Sequence, residues 1–310
     1  MTGSRQVTVV ASLVLLFCLA ASILSLRQID QVRNKATLEE VLFVISPKMV
    51  KRMSLGYDGL LADIYWTRAV QYFGGHHAER ARDFRLLAPL LEITTTLDPK
   101  LLVAYQFGAN FLAPKPPNGA GLPQKAIELV HNGINNNPND WNLYYQLGFV
   151  YYMDLKDYAR AAEAFAHGSE LPGAHPFMKI IAAQMAQHAG DNQMARALWM
   201  TTYQSTQDKQ IRGNAIAHLR ALQVSDDIDA LQELVGQYGR KTGVLPRSMT
   251  DLVGAGLLRS IPLDPTGRPY RIASDGRLQV QFPDELPFLE KGAPRGYTAP
   301  QPKHLEELGK

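Results

Sequence analysis

The side chains that could carry chemistry are few and widely spaced. His76 and His77 follow Gly74 and Gly75, and two adjacent imidazoles invite a metal. Neighbouring positions on a helix point apart, and no His-Glu-x-x-His or matching carboxylate spacing accompanies the pair, so a solvated hairpin turn is expected. Asp58 and Asp63, five apart beside Tyr57 and Trp66, could act as an acid–base pair. The preferred reading is structural, with a buried Asp63 hydrogen-bonded to neighbouring helices. Asp264 stands in an Asp-Pro-Thr-Gly turn. Calcium there would need further carboxylates, so an Asx turn is expected. His131, His167, His175, His188 and His218 are scattered singly and read as surface or core histidines. No Gly-x-Ser-x-Gly elbow and no glycine-rich phosphate loop occurs. The single cysteine, Cys18, excludes an internal disulfide framework, a cysteine-based zinc site and a Cys-x-x-Cys redox pair. No catalytic, cofactor or metal site is expected, and an enzyme is not.

The elements that must position whatever function remains are better marked. The chain has 310 residues, enough for one or two domains. Hydrophobic residues make up 46% and charged residues 20%, so most of it can bury a core. A net charge of +3, spread along the sequence, leaves no basic face for nucleic acid.

Residues 7–26, beginning at Val7 and ending at Leu26, contain no charge and are bounded by Arg5 and Arg27. As a helix this run spans about 30 Å, the hydrocarbon thickness of a bilayer. A cleavable signal peptide, with small residues at Ala20 and Ala21, is the alternative. The run exceeds the usual apolar region of about 7–15 residues, which favours an uncleaved anchor. Residues 1–35 are therefore read as anchor and flank, with the lipid bilayer as one partner. Arg27, Arg33 and Lys35 oppose export of the body under the positive-inside rule, whereas the short N-terminal tail favours it. A periplasmic body is preferred.

From Ser46 to about Arg240 apolar residues recur at three and four, and no alternating strand pattern appears. Pro138 and Pro172 lie 34 residues apart, as do Ala161 and Ala195, while Ala126 precedes Ala161 by 35. The clearest unit, residues 139–172, carries Tyr144, Leu147, Gly148 and Tyr151, then Tyr158, Ala161, Phe165 and Gly168, and closes at Pro172. This resembles the tetratricopeptide repeat. The resemblance implies antiparallel helix pairs that approach at Gly148 and Ala161 and are filled by Tyr151 and Phe165. One extra residue between Gly148 and Ala161 is placed in the turn at residues 154–157. Weaker units run through Trp66, Ala69, Phe73, Leu87, Leu91 and Pro99; through Phe107, Gly108, Phe111, Ala126, Val130, Gly133 and Pro138; and through Ala183, Ala186, Ala195 and Trp199. A last hairpin is expected from helices at residues 207–223 and 226–238. The expected fold is mainly α, a helical-hairpin solenoid over residues 46–240. The stretch Leu55-Gly56-Tyr57, with Ala62-Asp63, Trp66 and Tyr72-Phe73-Gly74, resembles membrane-anchored repeat proteins of bacterial envelopes. That resemblance implies a bacterial origin and a scaffold role, and no reaction.

After Tyr238 the pattern changes. Gly243, Pro246, Ser248, Leu252-Val253, Gly256, Leu258, Ile261-Pro262, Asp264-Pro265, Gly267 and Pro269-Tyr270 resemble the C-terminal part of type II secretion pseudopilins. The prepilin cleavage site and N-terminal helix of those proteins are absent. Ser248 and Asp251 read as a capping box opening a short helix. Residues 269–273 and 277–282 read as two strands around Ser274-Asp275-Gly276. Residues 241–283 are thus expected to form a small module capping the helical stack, and residues 284–310 a flexible tail.

In such stacks the first helix of each hairpin lines the concave face. Its exposed positions are Tyr105 in one unit, Asn142, Tyr145, Phe149 and Tyr152 in the best unit, and Phe177, Gln184 and His188 in the next. These eight residues are the expected partner-binding groove, for a peptide or protein. Burial of Tyr145 and Tyr152 against the next repeat is the competing reading. The functional expectation is a membrane-anchored, non-enzymatic interaction scaffold in envelope assembly or secretion. The alternative is a subunit of a secretion or pilus-like machine that docks through its C-terminal module.

Overall fold

A computed structural model describes residues 46–298 and, before them, some residues between Val14 and Arg27. Residues 28–45 and 299–310 lie outside the described part, as does much of the 7–26 run; its described residues are helical and exposed. Among the described residues no helix is long and apolar enough to cross a membrane. The described chain is mainly helical and divides into two compact units at Lys125 and Ala126.

The first unit contains α1 (Pro47–Met53), α2 (Asp58–Ala78), α3 (Leu87–Leu97) and α4 (Leu102–Leu112). Pro47 opens α1, where its missing N–H costs nothing. Asp58 opens α2 and accepts the Ser54 hydroxyl. α3 is buried over most of its length, yet contains Thr94 and Thr95. Their hydroxyls return to the Leu90 and Leu91 carbonyls at 2.8 and 3.0 Å, which satisfies them without leaving the helix. α3 packs against α1, α2 and α4, and Val50, Ala62, Ile93 and Leu97 form one core.

Two expectations fail here. Gly74 and Gly75 do not make a turn: α2 runs through them, and His76 and His77 occupy its last turn. Successive rings at i and i+4 hold that turn, with Tyr72 on His76 at 4.0 Å and Phe73 on His77 at 5.5 Å. Asp63 is exposed, not buried, because the packed side of α2 passes through Ala62, Ala69 and Tyr72.

The second unit continues α5 (Pro123–Asn136), which crosses the boundary, and adds α6 (Trp141–Phe149), a π-helical turn (Val150–Leu155), α7 (Tyr158–Ser169), α8 (Phe177–His188), α9 (Asn192–Ser205), α10 (Lys209–Thr242) and α11 (Met249–Gly254). From α6 to α10 each helix packs on the next, the nearest-neighbour order of an α-helical solenoid. One device starts four of these helices. Asp140, Asp157, Asp191 and Asp208 each accept a backbone N–H from the following turn. Asp157 and Asp191 sit 34 residues apart, so the repeat period is written in the caps as well as in the core.

The turn expected at residues 154–157 is shorter than that: a π-helical turn, Val150–Leu155, extends α6, and Lys156 stops it in the left-handed region at φ 57° directly before the Asp157 cap of α7. The expected last hairpin is absent. Residues 209–242 form one continuous helix, because the segment Val224-Ser225-Asp226-Asp227 contains neither Gly nor Pro to break it.

The C-terminal half of α10 is the wall on which the rest of the chain folds. Val224, Ile228, Leu231 and Val235 share a core with Met249, Leu252, Tyr270, Leu278, Val280 and Leu286. The capping box of Ser248 and Asp251 forms as expected. Strands β1 (Arg271–Ile272) and β2 (Leu278–Gln279) pair antiparallel and are shorter than expected. Gln232 of α10 binds both sides of their turn, donating to Gly276 O at 3.0 Å and accepting from Leu278 N at 3.3 Å. The expected flexible tail does not begin at residue 284. Leu286 is buried, Gly292 O accepts from Val280 N, and Lys291 pairs with Asp229 at 2.5 Å, so residues through 292 are held on α10.

Candidate functional site

Three helices and one π turn place a series of aromatic residues in the second unit. Near the end of α7, a β-carbon on Gly168 would meet both Met178 of α8 and Tyr144 of α6. At the start of α7, Tyr158 lies 6.1 Å from Tyr152 and 5.6 Å from His188, ring centre to ring centre. Both ends of α7 are thus bracketed by matching ends of α6 and α8. The two outer helices run in the same direction, with α7 antiparallel between them.

Along this arrangement rings touch in series. Trp141 meets Tyr145 edge-on at 6.2 Å, Tyr145 meets Phe149 at 4.6 Å, and Phe149 meets Tyr152 at 6.2 Å. Tyr158 and His188 extend the series. Phe165 backs it from α7, in edge contact with Tyr145 and Phe149 at 6.2 and 5.3 Å. Trp141, Tyr145, Phe149, Tyr152 and Tyr158 are all partly buried, neither sealed in the core nor fully exposed. Aromatic contacts of this geometry hold rings rigidly. The result is an ordered apolar strip with tyrosine hydroxyls, able to take up an apolar or extended chain and to offer it hydrogen bonds.

Charged groups flank both ends: Asp140 caps α6 beside Trp141, and Lys156, Asp157 and Arg160 lie near Tyr152. Lys156 Nζ sits 5.7 Å from the Tyr152 ring centre. Asp157 pairs with Arg160 at 2.6 Å, and the backbone and side chain of Arg160 hold its carboxyl below the usual range. Burial pushes the half-buried Asp154 carboxyl upward.

Of the expected groove residues, Tyr145, Phe149, Tyr152 and His188 come together in this strip. Asn142 lies half-buried in the first turn of α6, its N–H bonded to Asp140 at 2.8 Å. Gln184 is half-buried one turn before His188. Phe177 is exposed at the opposite end of α8, about 16 Å along the helix from His188. Tyr105 does not belong to the groove. It is 0% exposed in the first unit, and its hydroxyl donates to Pro99 O at 3.2 Å. Burial, with Asp98 nearby, pushes that phenol up to about 12. The contributions of Trp141 and Tyr158 were not anticipated. Trp141 sits one turn before Tyr145 and could have been found from that spacing.

A second constellation joins α8, α9, α10 and the C-terminal segment. His218 is sandwiched between Trp199 at 4.1 Å and Phe288 at 3.9 Å, both interplanar angles being 9°. Its Nδ1 is 3.0 Å from Gln187 Oε1, and its Nε2 has no hydrogen-bond partner among the described residues. Burial, reinforced by His188, lowers its pKa to about 4. This histidine is a core residue. Asp264 Oδ1 accepts from Thr266 N, Thr266 Oγ1 and Arg268 N, the expected Asx turn. Tyr270 donates to Asp227 at 2.7 Å, and burial together with that carboxylate raises its pKa. Among the described residues no group of three or more His, Cys, Asp or Glu could hold a metal ion.

No protein-family model matches the chain. No curated protein matches it either.

Proposed function

We propose that this chain is a membrane-tethered, non-enzymatic protein-interaction module whose tetratricopeptide-like hairpins hold a peptide or protein partner. The observation that carries the reading is the half-exposed aromatic series Trp141–Tyr145–Phe149–Tyr152–Tyr158, more ring surface than one helix seam needs. The 34-residue spacing of core and cap residues supports the repeat assignment. The uncharged 7–26 run supports a tether, which raises the local concentration of the module near membrane partners. The favoured location is a bacterial inner membrane, with the body in the periplasm and a role in envelope assembly or secretion.

Pull-down from detergent with the intact protein and with a Tyr145/Phe149/Tyr152 triple alanine variant tests this. Partners retained by the first and lost by the second are expected. Because Tyr145 and Phe149 also pack on Phe165, Tyr152→Ala alone is the companion variant, and partial loss is expected from it.

A second reading, docking through the C-terminal module, draws on one observation. Ile261 and Leu263 are exposed on the loop beside a cavity of ≈ 440 Å³ lined by Leu231, Leu234, Leu258 and Asp264. Under that reading Ile261→Asp/Leu263→Asp, and not the aromatic variant, abolishes recruitment.

A further inference from the structure

The start of the first unit carries large apolar side chains that the fold leaves outside. Met49 and Met53 project from α1, Leu55 and Tyr57 from the following turn, and Leu60 and Ile64 from α2. Leu55 is 86% exposed, Tyr57 68% and Leu60 60%. This is not a frayed end. Ser54 Oγ donates to Lys51 O at 2.7 Å and also bonds the Asp58 carboxylate, and Tyr57 N closes on Ser54 O at 2.9 Å. Within that braced turn Leu55 has φ 51°, a left-handed conformation uncommon for a residue with a β-carbon, and Gly56 follows at φ 91°. Leu55 thus combines a left-handed backbone with a side chain that the fold leaves outside.

Cations edge the same surface. Lys48 and Arg52 are exposed on α1, while Lys51 donates to Thr96 O at 2.8 Å. Within α1, α2 and the turn between them the acidic residues are Asp58, engaged by Ser54, and exposed Asp63; exposed Glu92 lies on α3, which packs against both helices. Apolar tips with a tyrosine and a basic border match a bilayer interface, where acyl chains take the tips and anionic headgroups the cations. The chain between Leu26 and Ser46 is short enough to keep α1 within roughly 70 Å of any bilayer holding residues 7–26.

We propose that the α1–α2 corner, Met49 to Ile64, docks on the anionic surface of the bilayer that holds the anchor, with Leu55 and Leu60 inserted below the headgroups. This rests on the membrane-tether part of the function proposed above. It gives the tether a second contact and so fixes which side of the first unit faces the lipid.

The test uses the full chain with Cys18→Ser and single cysteines at Leu55→Cys, Leu60→Cys or, as control, Gln207→Cys in the turn before α10. Each carries an environment-sensitive fluorophore and is reconstituted in phosphatidylcholine vesicles with about one-third phosphatidylglycerol and nitroxide-labelled lipid. Flotation of the vesicles reports the anchor, and lipid-borne quenching reports the corner. Flotation with about twofold or stronger quenching at 55 and 60 relative to 207 is expected. Flotation with water-exposed, unquenched labels at 55 and 60 overturns the docking and leaves the anchor standing. Blue-shifted but unquenched emission means that protein, a second copy included, covers the corner, and this overturns the lipid assignment. Equal quenching in pure phosphatidylcholine overturns the anionic surface. Failure to float overturns anchor and docking together.

Discussion

Phe165 lies with its ring against the backbone of Gly148: a β-carbon on that glycine would come within 2.6 Å of the ring. The contact sets the closeness of α6 and α7, and with it the backing of the aromatic strip. Since Phe165 is fully buried and itself touches Tyr145 and Phe149, it cannot swing aside freely.

Gly148→Ala is therefore expected to force the two helices apart and destabilise the protein by about 1–3 kcal/mol. Gly213→Ala is the control. Nothing lies within 4 Å of a β-carbon there, and removing an exposed helical glycine is expected to stabilise by about 0.5–1 kcal/mol. Urea denaturation in detergent, followed by circular dichroism, checks both signs.

The pattern of residues made this hairpin legible before any coordinates. Gly148 and Phe165 stand where a pair of packed helices needs a small residue facing a large one, and the structure puts these two in contact. Tyr105 shows the limit. By the repeat pattern it is expected at the equivalent surface position of its own unit, yet it is fully buried and its hydroxyl reaches a backbone carbonyl six residues back, which sequence periodicity does not register. The π turn was hidden for a related reason. An insertion announces that a residue must go somewhere, while its choice between loop and widened helix depends on the packing of Val150 and Tyr151.

His218 gives a pH dependence. Its pKa falls from an ordinary 6.5 to about 4 on folding, so the folded state resists protonation. Above pH 6.5 both states are neutral and stability is full. As pH drops from about 6.5 towards 4 the unfolded chain gains a proton that the native chain refuses, removing roughly 3 kcal/mol. His218→Phe, which cannot titrate, is expected to be less stable at neutral pH and to lose less stability over that interval. Urea midpoints at several pH values compare the two.

The C-terminal hairpin is held by Gln232, which acts for β2 much as a neighbouring strand would. Gln232→Ala leaves Gly276 O and Leu278 N without that partner and is expected to cost about 1–3 kcal/mol. Limited proteolysis should then cut within residues 271–282 well before the helices, whereas the parent protein resists there.

The same wall accounts for what the C-terminal sequence could not disclose. Leu286, Phe288 and Gly292 stand among prolines and charges, a composition typical of loose tails. Their partners Ile228, Val224 and His218 belong to a helix far upstream in the chain, beyond the reach of local pattern. Phe288→Ala is expected to expose His218 and raise its pKa towards the ordinary value. An upward-shifted imidazole titration by NMR checks this.

The claim that the aromatic strip holds a protein partner is tested most directly by photo-cross-linking. A benzophenone amino acid at Tyr152 is compared in intact cells with the same probe at Gln207, away from the strip. A discrete adduct from position 152, abolished by Tyr145→Ala/Phe149→Ala and absent from position 207, is the predicted result. No adduct at 152, or the same adducts at both positions, contradicts it.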